Sequence, residues 1–157
     1  ILAASQPMAA LYRSVNTYPH LVAEREHGNP ETSTDAELAD AARTILDEVY
    51  ADQVDELAER FGDLSGQGRT ATDASDLARL STLGAVDTLL VDIDASVPGT
   101  IDDIGAVSLA DAEGAGNYGV TDEIARRVLL AGGRVLAVRA EDIPQGGPLA
   151  GLLRFVV

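Results

Sequence analysis

Cysteine is absent from the 157 residues, and so is lysine: all 11 basic residues are arginine. Without cysteine there is no disulfide, no thiolate zinc site and no cysteine nucleophile. Without lysine there is no Schiff-base lysine, no P-loop lysine and no lysine general base. Aromatic residues make up only 4% of the chain, so an apolar interior has to be assembled from Ala, Leu, Val and Ile. No apolar run approaches the ~18 residues of a membrane-spanning helix. The opening residues, Ile1 to Ser5, contain neither Met nor a charged segment leading into a long apolar stretch. No secretory signal is expected there, and a chain cut from a longer protein is. Positive charge is scarce as well: 26 acidic residues face the 11 arginines, for a net charge of −15. Nucleic-acid affinity comes from clustered cations that displace counterions from phosphate. This field disfavours RNA and DNA and suits an arginine-rich protein partner.

The chain does hold enough apolar residues for one packed domain, at 46%. Ile1–Ala4 reads as the end of a strand. Pro7 to Asn16 reads as a short helix with Met8, Leu11, Tyr12 and Val15 on one face, broken at Tyr18-Pro19. Polar residues 24–33, with Gly28-Asn29-Pro30, mark a loop. Thr34 and Glu37 have capping-box spacing, and a long helix follows with Leu38, Ala42, Ile45, Val49, Val54, Leu57 and Phe61 as its stripe. Gly62 and then Gly66-Gln67-Gly68 end it.

From there helix and strand alternate. Thr72-Asp73 caps a helix running to about Leu83, and Gly84 sits where a left-handed residue closes it. Val86–Val91 is an apolar strand of the kind buried on both faces. Asp92–Asp103 is an acidic loop, Ala106–Leu109 a short strand and Asp111–Gly119 a glycine-rich loop. Thr121-Asp122-Glu123 opens a helix with Ile124, Val128 and Leu129, closed by Gly132-Gly133. Arg134–Arg139 alternates as a strand, Pro144–Pro148 turns, and Leu152–Val157 ends the chain as a strand. This order predicts an α/β fold: a three-layer α/β/α sandwich on a mixed sheet. Residues 1–33 read as the tail of a preceding domain plus linker, and residues 34–157 as the domain itself.

Several residues invite chemistry. His20 and His27 are the only histidines, and neither has the neighbours of a catalytic triad. Asp92, Asp94, Asp102 and Asp103 follow a strand, where carboxylates hold Mg²⁺ in many α/β enzymes, but their spacing matches no calcium loop. Gly114, Gly116 and Gly119 scan as a dinucleotide-binding pattern without a strong preceding strand, so a plain glycine loop is the better reading. Arg154, in a half-buried strand, is expected to pair with an acidic side chain and fix that strand.

Three segments together carry a family resemblance. They are Gly68-Arg69-Thr70 leading through a helix into Gly84-Ala85-Val86-Asp87-Thr88-Leu89-Leu90; then Glu123-Ile124-Ala125 with Gly132-Gly133; then Gly146-Gly147 with Leu152-Leu153-Arg154-Phe155. This order is similar to the C-terminal domain of archaeo-eukaryotic class-1 peptide release factors and of Pelota-type ribosome-rescue factors. The resemblance covers roughly residues 35–157 and points to a bacterial relative. It implies the fold of ribosomal proteins that bind kink-turn RNA. It also implies that the stop-codon reader and the GGQ-bearing catalytic domain lie upstream. Ser65-Gly66-Gln67-Gly68 and Gln145-Gly146-Gly147 only mimic GGQ, in the wrong domain. The expected function is that of a non-catalytic, cytoplasmic protein-interaction domain in translation termination or ribosome rescue. Its expected partner is a translational GTPase or a ribosomal protein, and no cofactor or metal is expected. A Mg-dependent hydrolase using the Asp92–Asp103 loop and an RNA-binding module are the alternatives.

Overall fold

The computed structural model describes residues 1–22, 26–27 (backbone only), 30–110 and 119–157. These group into two compact units, Ile1–Asp55 and Glu56–Val157.

In the first unit, strand β1 (Leu2–Ala3) pairs in parallel with β2 (Glu26–His27). Helix α1 (Gln6–Val15) carries proline in its first turn, where the missing N–H costs nothing. The face made by Met8, Leu11, Tyr12 and Val15 is exposed rather than buried. A 3₁₀ turn (Pro30–Thr32) leads to α2 (Asp35–Ser65), which runs from the first unit into the second. The expected capping box forms: the Thr34 amide donates to Glu37 Oε2 at 2.8 Å and the Glu37 amide to Thr34 Oγ1 at 3.3 Å. The stripe is also present. Leu38, Ala42, Ile45, Val49 and Val54 are half-buried, and Leu57, Phe61 and Leu64 are buried.

The second unit is built on a four-stranded mixed sheet. Its strands are β3 (Thr70–Ala71), β4 (Val86–Asp92), β7 (Arg134–Val138) and β8 (Leu149–Leu153), in the order β3-β8-β4-β7. β8 runs antiparallel to both β3 and β4, whereas β4 and β7 are parallel. A parallel neighbour requires a crossover. Here it holds a hairpin, β5 (Gly99–Ile101) with β6 (Val107–Leu109), and helix α4 (Val120–Leu130). Helix α3 (Ala74–Thr82) connects β3 to β4. Asp73 caps it, accepting from the amides of Ser75 and Asp76 at 2.9 and 3.0 Å.

Side chains divide the sheet into two buried faces. Leu89, Leu149 and Leu153 form a single core with Leu77, Ala78 and Leu80 of α3 and Ile124 and Val128 of α4. The residues that alternate with them, Thr88, Leu90, Ala150 and Leu152, are buried as well. That second face lies on the side of the last turns of α2, where Leu57, Phe61 and Leu64 are buried and Arg60 reaches Asp87. The result is the three-layer α/β/α arrangement expected from the alternation. Each fully buried Leu contributes roughly 1.5–3 kcal/mol, which lets a core almost without aromatics suffice.

Three elements differ from expectation. Residues 26–27, expected within a loop, form β2. The Asp92–Asp103 segment is not all loop, because β5 lies within it. The closing strand spans Leu149–Leu153 rather than Leu152–Val157. It starts early because Gly151 does not break it: the absent Cβ leaves room for Leu77 of α3. It stops early because the chain bends at Arg154-Phe155, just after the Arg154 amide makes a last contact with the Ala85 carbonyl at 2.8 Å.

Gly151→Ala should therefore overpack the α3 face. Urea denaturation should show an unfolding free energy lower by about 1–3 kcal/mol, while far-ultraviolet circular dichroism stays unchanged.

Candidate functional site

The residues that carry the resemblance fall at both ends of the β4–β8 pair: Gly84–Val86 meet Leu153 and Arg154 at one end, and Gly146 and Gly147 precede β8 at the other. Gly84 adopts φ +68° directly after α3, the left-handed closure its position predicts. Ala85 is fully buried, and its amide returns to Leu80 O at 2.9 Å. Val86, Leu89 and Leu90 are core. Asp87 is skipped in the β4–β8 register, where Val86 faces Leu153 and Thr88 faces Leu152. Freed by this bulge, Asp87 accepts from Arg60 Nη2 at 2.9 Å and from Thr88 Oγ1 at 3.1 Å. Gly146 and Gly147 adopt φ +73° and +95° in the turn before β8, a conformation that glycine takes without strain. Leu153 is buried and Phe155 is exposed.

Arg154 departs from its expected role. Its guanidinium binds two main-chain carbonyls, not an acidic side chain. Nη1 donates to Gly84 O at 3.2 Å and Nη2 to Ala131 O at 3.1 Å. Those oxygens sit at the C-terminal ends of α3 and α4, where unpaired carbonyls and the helix dipoles concentrate negative charge. A guanidinium is the one side chain able to span both with a rigid fork. Arg69 supports the same corner by donating from Nη2 to Leu153 O at 2.9 Å and Arg154 O at 2.6 Å.

Beside this corner runs a shallow open groove lined by Thr82, Leu83, Asp103, Arg126, Arg127 and Leu130, among others. Two of its charged side chains, Arg126 and Arg127, form a triad along α4 with Glu123. Glu123 Oε2 accepts from Arg126 Nε at 2.7 Å, and Glu123 Oε1 accepts from Arg126 Nη2 and Arg127 Nε, both at 2.8 Å. Arg127 also donates to Thr82 Oγ1 at 2.6 Å and to Ile101 O at 3.1 Å, tying α4 to α3 and β5. Arg126 foremost, and then Arg127 against the opposing effect of burial, hold the Glu123 carboxyl down at about 2. The i,i+3 and i,i+4 spacing of Glu123 to Arg126 and Arg127 was legible in sequence. The reach of Arg127 to Thr82 and Ile101 was not.

The other sequence candidates do not assemble. Asp92 and Asp102 close turns: Asp92 Oδ1 accepts from the Asp94 amide at 3.0 Å, and Asp102 Oδ1 from the Ile104 and Ala106 amides at 3.0 and 2.8 Å. Asp103 lines the groove instead. Among the described residues no three or more His, Asp or Glu gather as a metal site. His20 packs edge-on against Tyr18 with ring centroids 5.5 Å apart, and the side chain of His27 lies outside the described residues. Gly114 and Gly116 lie outside them as well, whereas Gly119 precedes the first residue of α4. Gly68, with φ +68°, ends α2 within the Ser65–Gly68 segment.

Two outcomes follow from this corner. Arg154→Met should lower the unfolding free energy by about 1–3 kcal/mol by orphaning two carbonyls. Arg154→Lys should recover only part of the loss, since a point charge cannot fork; urea midpoints distinguish the three proteins. A carboxyl depressed from 4.5 to about 2 contributes stability that is full above pH 4.5 and lost as pH falls toward 2. Glu123→Gln should accordingly shrink the difference between unfolding midpoints at neutral and acid pH.

Comparison with known proteins fits this architecture. Residues 1–52 match the family model described as bacterial archaeo-eukaryotic release factor family 11. No curated protein matches the sequence. The C-terminal domain of a peptide chain release factor from Methanosarcina mazei superposes with TM-score 0.60 at 18% identity, covering 80% of this chain and 98% of that one. Pelota from Archaeoglobus fulgidus superposes with TM-score 0.55 at 19% identity, covering 99% of this chain and 48% of that one. An archaeal Pelota in a ribosome-bound assembly with ABCE1 gives 0.53 at 22% identity, covering 96% and 40%. The chain thus spans less than half the length of either Pelota. It has the fold of the release-factor C-terminal domain, and its first 52 residues are similar to the model of a bacterial archaeo-eukaryotic release factor family.

Proposed function

We infer that this chain is the C-terminal, protein-binding part of a bacterial release-factor-like protein that acts in translation termination or ribosome rescue. One observation carries the reading: nearly the whole of an archaeal release-factor C-terminal domain, 98% of it, superposes on this chain. The family match over residues 1–52 points to the same translational context independently of the fold. In this reading residues 34–157 form the interaction domain and residues 1–33 the end of the domain before it. Peptidyl-tRNA hydrolysis belongs to parts of the protein upstream. The side chains support a scaffold role. The best-organised cations, Arg69, Arg127 and Arg154, spend their donors on main-chain carbonyls, a hydroxyl and a carboxylate within the fold.

The partner is a translational GTPase or a ribosomal protein, and the place of action is the cytoplasm. No described helix is long and apolar enough to cross a membrane. With a net charge of −15, contact with the ribosome runs through protein rather than through phosphate. Neither alternative reading gains an observation: Asp92 and Asp102 close turns and Asp103 lines the groove, and a net charge of −15 opposes RNA.

Co-sedimentation of the full-length protein with ribosomes, and pull-down against purified translational GTPases of the same organism, test the reading. Enrichment that survives nuclease treatment is expected. Enrichment with neither overturns it.

A further inference from the structure

The groove at the α3–α4 end joins exposed leucines to open guanidinium donors. Leu83, just past α3, is 59% exposed, and Leu130, the last residue of α4, is 73% exposed. Both line the groove together with Arg126 and Asp103. The helix ends that carry them abut, since a Cβ on Gly84 would stand 3.7 Å from Ala131 Cβ. Two leucines displayed on rigid, adjoining helix ends form an apolar surface that folding leaves uncovered.

The charge at this place opposes that of the molecule. Arg126, Arg127 and Arg154 stand there against Glu123 and Asp103. Three cations face two carboxylates in a chain whose net charge is −15. Arg126 is the open one, with a side chain 60% exposed. Its Nε and one Nη2 hydrogen are held by Glu123. A guanidinium has five N–H donors, so three are left without a partner among the described residues. Glu123 fixes the orientation of Arg126, so the loss of side-chain freedom on binding is partly met beforehand. Ordered donors beside exposed leucines match a carboxylate that sits next to apolar side chains.

We propose that this groove docks an acidic, leucine-bearing helical segment of a protein partner, its apolar stripe on Leu83 and Leu130 and a carboxylate on Arg126. This locates the interaction surface of the function inferred above and rests on that reading for its biological partner, but not for its chemistry. It also reverses the expectation, drawn from bulk charge, of an arginine-rich ligand: an acidic segment reaches a local patch where arginines are grouped.

The probe is a synthetic amphipathic helix with leucine at i, i+3, i+4 and i+7 and glutamate beside the stripe. Two controls replace glutamate by lysine or leucine by serine. Titrated into the ¹⁵N-labelled chain at physiological salt, the leucine–glutamate helix should shift the amide resonances of Leu83, Gly84, Arg126, Leu130 and Ala131. Leu130→Asp and Arg126→Gln should each weaken binding by about tenfold or more. Leu130 is exposed enough for its variant to leave the unfolding curve in place, whereas Arg126→Gln also removes the pair with Glu123 and is read against its own unfolding curve. Absent shifts, shifts mapped elsewhere, or equally tight binding of the leucine–lysine helix at these residues would each overturn the proposal. Leu130→Asp in the full-length protein separates the two readings. If GTPase or ribosome enrichment persists undiminished in that variant, the groove proposal fails and the interaction-domain reading stands. If the wild-type protein enriches neither while the peptide maps to the groove with the stated specificity, the groove stands and the translational reading fails.

Discussion

Two helices that end side by side leave their last carbonyls pointing at the same volume, and an acidic protein is poorly placed to neutralise them. The second unit depends on how this is met. Arg154 reaches Gly84 O and Ala131 O from the residue immediately after β8. Its own amide donates to Ala85 O at 2.8 Å. One residue therefore fixes the ends of α3 and α4, the entry to β4 and the exit of β8. Removing the fork would loosen both helices and the central strand pair together, because all three converge on it.

The shortage of cations gives this arrangement its particular form. With 11 arginines and no lysine among 157 residues, positive charge is spent where two or three acceptors can be served at once. Arg127 bridges Glu123, Thr82 and Ile101, and Arg69 bridges the carbonyls of Leu153 and Arg154. A lysine could not hold such sets in fixed directions. The surplus carboxylates are left to the surface and to turns, where Asp73 and Asp102 replace main-chain acceptors. Acidity and order are thus compatible, because three of the few positive groups, Arg69, Arg127 and Arg154, act as internal ties.

What sequence makes legible here is what depends on neighbours in the chain. The Thr34–Glu37 box, the Asp73 cap, the Gly84 closure and the apolar strands at β4 and β8 follow from local pattern, and each is present. The misreadings concern long-range contacts. Arg154 looked like half of an ion pair, because sequence does not reveal that two helix ends lie within its reach. The expected closing strand, Leu152–Val157, starts later than β8, whose Gly151 is accommodated by the side chain opposite, Leu77, a contact that local pattern does not show. The exposed face of α1 shows the same limit from the other side, for a 3.6-residue period announces an apolar stripe but not whether anything covers it.

The acidic segment after β4 illustrates why carboxylates in sequence are weak witnesses to chemistry. Asp92 and Asp94 are joined by a main-chain contact, and Asp102 gathers two amides of its own hairpin turn. Among the described residues the carboxylates do not gather as a cation site, and these bonds commit Asp92 and Asp102 to local turns. They also place the hairpin: at Gly105 the turn lies so close to α3 that an added Cβ would stand 2.7 Å from Arg79 Cα. Held in this way, the turn brings Asp103 to the rim of the groove opposite Arg126. A run of aspartates that resembles a metal loop therefore acts as a template for shape, and the electrostatic character of this end of the molecule is set by the arginines on α4.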